Sequence, residues 1–134
     1  METKATNQDT IVAELKSNST SWGNYKNNTT YNITNTKAKN YVSSWVDGAY
    51  GQKDSETSVL LSTGASSDFA KMGIYDIAGN VNEWTLEYTS NSSSPCAYRG
   101  GGYSYDGNGN PASYRSNCRN DVAVSVFGFR VSLY

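Results

Sequence analysis

Two carboxylates, Asp76 and Glu83, stand on either side of the tripeptide Ala78-Gly79-Asn80. Glycine takes positive φ at little steric cost, and asparagine tolerates it, so this tripeptide reads as a turn. Such a turn aims carbonyl oxygens inward. Two carboxylates beside carbonyls are what Ca²⁺ asks for, which is several hard oxygen ligands in flexible geometry. The same side chains can do something plainer and accept hydrogen bonds from the N–H groups of the turn. Around them Ile74, Ile77 and Val81 are apolar and Tyr75 and Trp84 aromatic, so the segment can pin itself to a core.

Other chemistry is sparse. Histidine is absent, which excludes Ser-His-Asp and Cys-His catalysis and histidine-ligated zinc or iron. Cys96 and Cys118 are the only cysteines, and their spacing matches no metal motif. Either they form one disulfide between neighbouring strands, worth about 2–4 kcal/mol, or they are unrelated thiols. Between residues 102 and 127 stand Tyr103, Ser104, Tyr105, Asp106, Asn108, Asn110, Tyr114, Ser116, Asn117, Asn120 and Asp121. Binding loops use this vocabulary, because tyrosine gives rigid aromatic area and Ser, Asn and Gly adaptable hydrogen bonding. An ordinary polar loop rich in turn residues has the same composition.

The elements that must position these residues share a chain of 134 residues, read as one domain over 1–134. Aromatic residues make up 13% and charged residues 17%, the reverse of a disordered chain. Net charge is -1 with no basic run, so no nucleic-acid partner is expected. No apolar stretch reaches about 18 residues, so no membrane insertion is expected. The N-terminus has neither a basic n-region nor an apolar h-region, so no signal peptide is expected.

Residues 9–17 read as a short helix with Ile11, Val12 and Leu15 on one face and Asp9 or Thr10 as N-cap. Residues 18–35 form a long polar loop with edge-strand character around 29–33. It carries glycosylation-type triplets at Asn18, Asn27, Asn28 and Asn32, and Asn91 starts another; in a eukaryotic secreted protein these would be glycan sites, and in a bacterial or phage protein they mean nothing. Residues 36–45 read as a second helix, from the stripe Ala38, Tyr41, Val42, Trp45 and Val46. A short apolar run follows at 58–62. Residues 85–88 and 96–103 are extended, the latter ending in Gly100-Gly101-Gly102, and 111–119 are partly extended. Residues 128–133 alternate as a terminal strand with Phe129 inward; Trp84 and Phe129 are core, and Arg130 is partly buried and paired. Helices early and short strands later fit an α+β class.

Residues 73–84, Gly-Ile-Tyr-Asp-Ile-Ala-Gly-Asn-Val-Asn-Glu-Trp, resemble the signature segment of the formylglycine-generating enzyme (sulfatase-modifying factor) family, which commonly reads G-L-Y-D-M-A-G-N-V-W-E-W. Asn82 takes the place of the usual tryptophan. Residues 99–103, Arg-Gly-Gly-Gly-Tyr, resemble its R-G-G-S-Y/W, and residues 128–131, Gly-Phe-Arg-Val, its closing G-F-R-V. The resemblance covers residues 60–134. It implies a C-type-lectin-like fold, with two helices packed on a twisted antiparallel sheet and long loops gathered into a binding face. It implies a calcium site at Asp76 and Glu83 by side chain and at Gly79 and Val81 by backbone carbonyl. Relatives that bind iron through histidine are excluded by composition.

In that family two cysteines near R-G-G-S-Y bind copper and oxidise a substrate cysteine. The matching positions here are Tyr105 and Asn110, which cannot supply the soft thiolate that Cu(I) prefers. The domain is therefore expected to be non-catalytic and to bind no copper. Its loop composition is similar to that of the variable proteins of diversity-generating retroelements, which share the scaffold and the G-F-R ending. That likeness implies a surface of Tyr103, Tyr105, Asp106, Asn108, Asn110, Tyr114, Ser116, Asn117 and Asn120 binding a protein or glycan on another cell. It implies a bacterial or phage origin, and a place on a cell surface or phage virion as part of a longer protein. The alternative is an oxidase or accessory domain of the formylglycine-generating family.

Overall fold

A computed structural model describes residues 4–29, 32–33, 39–41, 45–47, 51–52, 57–71 and 73–130. The chain opens with α1 (Lys4–Ser17). This helix is longer than expected, so Asp9 and Thr10 lie inside it rather than capping it. Cap-forming residues cost only tenths of a kcal/mol in a helix interior, too little to start the helix late. Ile11 and Leu15 pack on the core while Val12 faces outward. Beyond Ser17, the Ser19 hydroxyl donates to Glu14 O at 2.9 Å and finishes the last turn.

Short strands follow: β1 (Asn32–Ile33), β2 (Lys39–Tyr41), β3 (Trp45–Asp47), β4 (Gly51–Gln52) and β5 (Leu60–Leu61). The expected second helix is therefore absent. Tyr41 pairs with Trp45 and Asn40 with Val46 across an antiparallel β2–β3 hairpin, and β2 pairs again with β5. Aromatic and β-branched residues suit a pleated surface at least as well as a helix. Over so few residues a helical stripe and a hairpin have similar apolar spacing, and pairing with β5 decides between them. Residues 36–38 and 42–44 of that stretch lie outside the described residues.

After a 3₁₀ turn at Ser67–Phe69 come β6 (Ala70–Lys71) and β7 (Ile74–Tyr75), and then the longest strand, β8 (Asn82–Tyr88). With β9 (Cys96–Arg99), β10 (Arg115–Cys118) and β11 (Phe127–Gly128) it forms a four-stranded sheet ordered β10-β9-β8-β11. The sheet is mixed, not wholly antiparallel, because β11 runs parallel to β8. The class is α+β, with one α-helix among the described residues.

Two apolar clusters hold these elements. Ile33, Val59, Leu61, Ala65 and Phe69 form one. Trp22, Tyr25 and Ala78 form the other, with Ile11, Leu15, Ile77 and Ala112 against it. The polar stretch after α1 is thus no free loop: Trp22 and Tyr25 are its buried anchors. Between the clusters lies a buried pair of amides. Asn80 Oδ1 accepts from Leu61 N and from Asn24 Nδ2, both at 3.0 Å, and Asn80 Nδ2 donates to Leu61 O at 2.8 Å. Asn24 Nδ2 also donates to Val59 O at 2.6 Å.

On the sheet, Trp84 stacks on Phe127 with centroids 4.5 Å apart, and Tyr98 meets both rings edge-on. Phe129, expected in the core, is 76% exposed. The pairing with β8 stops at Gly128, so the strand alternation that would turn Phe129 inward does not extend to it. Residues 131–134 of the expected strand lie outside the described residues. Phe127→Ala should therefore cost about 2–4 kcal/mol, while Phe129→Ala stays within about 0.5 kcal/mol of wild type. Urea unfolding of the two variants checks this, and the reverse order would overturn the placement of the rings.

Candidate functional site

β7 and β8 are joined by the turn at 76–81. Asp76 and Asn80 both adopt left-handed backbone, with φ of 50° and 61°. Gly79 lies between them at φ 73°, and a Cβ there would come within 2.9 Å of the Asn24 carbonyl. Only glycine lets the two backbones approach this closely. The turn delivers all four expected metal ligands, Asp76, Gly79, Val81 and Glu83, to one cleft of about 220 Å³, with Thr63 and Arg130 on its walls.

Arg130 spans this cleft. Its Nη1 donates to Tyr75 O at 2.7 Å, its Nη2 to Asp76 O, and its Nε to Glu83 Oε1. The guanidinium is paired as expected, with 34% of its side chain exposed. Asp76 Oδ2 accepts the Gly64 N–H at 2.8 Å. Burial pushes the Asp76 carboxyl above the ordinary carboxylate range, against the pull of that N–H and of the Arg130 charge. Glu83 is also pushed up by burial; Arg130 opposes the shift and the nearby Asp76 adds to it. One arginine thus leaves the cleft short of positive charge.

The donor set suits a hard cation, since carboxylate and carbonyl oxygens are what Ca²⁺ takes. Among the described residues no three His, Cys, Asp or Glu side chains gather as a metal cluster. A cation in this cleft would draw the rest of its shell from backbone carbonyls or water.

Most of the second expected site, residues 103–114, lies between β9 and β10. Its backbone is bound to the rest of the protein along its length. Ser19 N–H donates to Gly107 O at 3.0 Å, Lys26 N–H to Tyr105 O at 2.8 Å, and Tyr103 N–H to Asn80 O at 2.9 Å. Gly107 N–H donates to Asn27 Oδ1 at 3.0 Å, and the Tyr25 hydroxyl to Asn110 O at 2.9 Å. Gly107 packs so tightly that a Cβ would stand 2.4 Å from Thr20 N. The side chains behave oppositely: Tyr105, Asp106 and Asn108 are exposed and Asn110 is half-buried.

The nine expected ligand residues do not all join this patch. Half-buried Tyr103 lines a separate cleft of about 250 Å³ with Tyr41, Leu60 and Ser125. Tyr114 lies against Tyr98, centroids 6.5 Å apart. Ser116 and Asn117 are neighbours on β10, opposite Tyr98 and Ala97. Strand alternation sends their side chains to opposite faces of the sheet. Asn120 is exposed in the turn beyond β10, at the other end of the hairpin from Tyr105. The resemblance-derived thiol positions, Tyr105 and Asn110, carry a phenol and an amide.

A third cleft, of about 420 Å³, lies beside α1 and includes Glu14, Asn18, Thr20 and Asn27. No local pattern announces it, because burial of Trp22 and Tyr25 is what folds the 18–28 stretch back onto the helix. The Trp22 indole N–H donating to Glu14 marks that fold-back.

The sulfatase-modifying factor enzyme 1-like domain model matches residues 12–133. The chain belongs to this family. No curated protein and no solved structure matches it. The match extends the family assignment well N-terminal of residue 60, into α1 and the Trp22 cluster. Within the family segment, Asn82 stands where the pattern has tryptophan. It is 3% exposed, and its Oδ1 has no partner among the described residues.

The two raised carboxyl groups set a pH dependence. An acid with a raised folded-state pKa keeps its proton longer when folded. Between the ordinary and the raised pKa the folded state therefore binds more protons, and stability falls as pH rises. Asp76→Asn removes one such group and keeps the acceptor for Gly64. Without calcium, the variant should lose less stability than wild type between about pH 4 and about pH 7. Urea titrations at both pH values measure the difference, and equal losses would overturn the placement of Asp76.

Proposed function

We propose that this chain is a non-catalytic ligand-binding domain of the sulfatase-modifying factor family with a C-type-lectin-like fold, of the kind found in variable proteins of diversity-generating retroelements. The observation that carries the reading is the contrast in the 100–114 loop. Its backbone is hydrogen-bonded to α1, to the 19–27 stretch and to Asn80, while Tyr105, Asp106 and Asn108 face solvent. A loop of this kind accepts side-chain change without loss of fold and presents little entropy for a ligand to remove. The ligand is a protein or a glycan on another cell, met by one aromatic anchor and a set of short polar groups.

Tyr105→Ala, Asp106→Ala and Asn108→Ala together should remove binding, measured on a glycan array and against displayed cell-surface proteins. The melting temperature should stay nearly unchanged, because exposed substitutions remain within about 0.5 kcal/mol each. Undiminished binding by the triple variant would sink the reading.

The same reading gives the carboxylate cleft a structural calcium ion, held by Asp76, Glu83 and the carbonyls of Gly79 and Val81. The ion would supply the positive charge that burial of the two carboxylates demands. At a hundredfold excess over its Kd, calcium should stabilise the fold by about 2.7 kcal/mol. Identical melting in excess EDTA and in millimolar calcium would remove the site.

The alternative, an oxidase of the same family, calls for thiolates where Tyr105 and Asn110 stand. The chain should therefore leave a cysteine-containing peptide unchanged in the presence of copper and oxygen. Mass-spectrometric detection of formylglycine would favour the oxidase instead.

A further inference from the structure

The β9–β10 hairpin brings the two cysteines together. Its register sets Cys96 directly opposite Cys118. Side chains directly opposite on antiparallel strands leave from the same face, with Cβ atoms about 4.5–5.5 Å apart. The ladder's phase is given by the bond from Gly100 N–H to Tyr114 O at 3.0 Å. Counting outward in alternation, 98/116 and 96/118 are hydrogen-bonded pairs, whose Cα atoms stand about 5.5 Å apart. Disulfides span Cα separations of about 4.4–6.8 Å and Cβ separations of about 3.5–4.5 Å, so the Cα atoms are in range and the Cβ atoms of this hydrogen-bonded pair must draw closer by roughly 1 Å for the bond to close. Both cysteines carry free thiols and both are half-buried, so small reagents reach them.

We propose that Cys96 and Cys118 form a redox modification site, a cross-strand dithiol that a low-molecular-weight disulfide such as oxidised glutathione converts into an intramolecular disulfide. One cysteine, as thiolate, attacks a glutathione sulfur. The glutathione S–S bond breaks, one glutathione leaves as thiolate and takes up a proton, and a mixed disulfide forms. The second cysteine loses its proton and attacks the protein-side sulfur, expelling the second glutathione. The protein gives up two electrons and two protons, and glutathione disulfide is reduced to two glutathione molecules.

Topology gives the bond its consequence. Among the described residues β10 is an edge strand, with β9 as its neighbour in the sheet. A bond from Cys118 to Cys96 fastens the free end of that edge strand and closes a covalent loop around residues 97–117. The 100–114 stretch lies inside that loop, so oxidation restricts the base of the hairpin that carries it. The disulfide forms whether or not that stretch binds a ligand.

Incubating the reduced chain with oxidised glutathione tests this, read by intact mass and peptide mapping. Wild type should lose two hydrogens, give one linked pair of peptides containing Cys96 and Cys118, and retain no glutathione. Its melting temperature should rise by roughly 5 °C or more, reversed by dithiothreitol. Cys96→Ser and Cys118→Ser should each stop at a single glutathione adduct and show no such rise. Wild type carrying two glutathione adducts, or cross-linked between chains, would overturn the proposal.

Discussion

The contact between Asn24 and Asn80 is the constraint on which the rest of the structure depends. Asn80 sits in left-handed backbone at the end of the family turn and turns its amide into the protein. There it completes the backbone bonding of Leu61 and meets Asn24, while its own N–H donates to Asn24 O at 2.8 Å. Three segments far apart in sequence are thereby joined at one buried point. Buried amides hold well when bonded and cost a great deal when not. The arrangement also demands that backbones touch. A Cβ on Gly23 would lie 1.8 Å from Ala78 O, and one on Gly79 would strike Asn24. Two glycines therefore permit a junction that two asparagines close.

Both candidate sites hang from this junction. Asn80 O accepts the Tyr103 N–H, which starts the 100–114 stretch from a fixed point. The same turn sets Asp76 and Glu83 on the walls of one cleft. Tyr25, beside Asn24, reaches Asn110 with its hydroxyl, and burial pushes its phenol pKa far upward so that it stays a neutral donor. One frame supports exposed side chains in one place and carboxylates withdrawn from solvent in another. These are two outcomes of the same economy: backbone polar groups are satisfied internally, and side chains are left to do other things.

In the carboxylate cleft the balance of charge is the deciding quantity. Arg130 bonds Glu83 and two carbonyls, yet both carboxyl groups still titrate upward because burial outweighs its attraction. The calcium ion proposed for this cleft would supply the remaining compensation. Arg130 already donates to Glu83 and to the Asp76 carbonyl across the same cleft, so such an ion and the guanidinium would share the Glu83 carboxylate.

Much of this was legible in the sequence. The spacing of Asp76, Gly79, Asn80 and Glu83 determined the turn, because few residue types accept left-handed backbone and the carboxylates flank those that do. The three motifs determined the family, and Arg130 was read correctly as a paired cation. Tertiary structure alone decided the rest. Residues 36–45 carry a helical stripe, but β5 offers a strand partner, and pairing outweighs weak local preference. Phe127 and Phe129 have equal claim to the core by alternation, and only the length of the β8–β11 pairing selects Phe127. Trp22 and Tyr25 sit in a stretch polar enough to pass for a free loop, and the Ala78 side of the family turn gives them something to bury against. Cys96 and Cys118 face each other because of a strand register, which depends on what packs beneath the sheet. Local sequence states what each segment can do; the choice among those options comes from partners that lie distant in the chain.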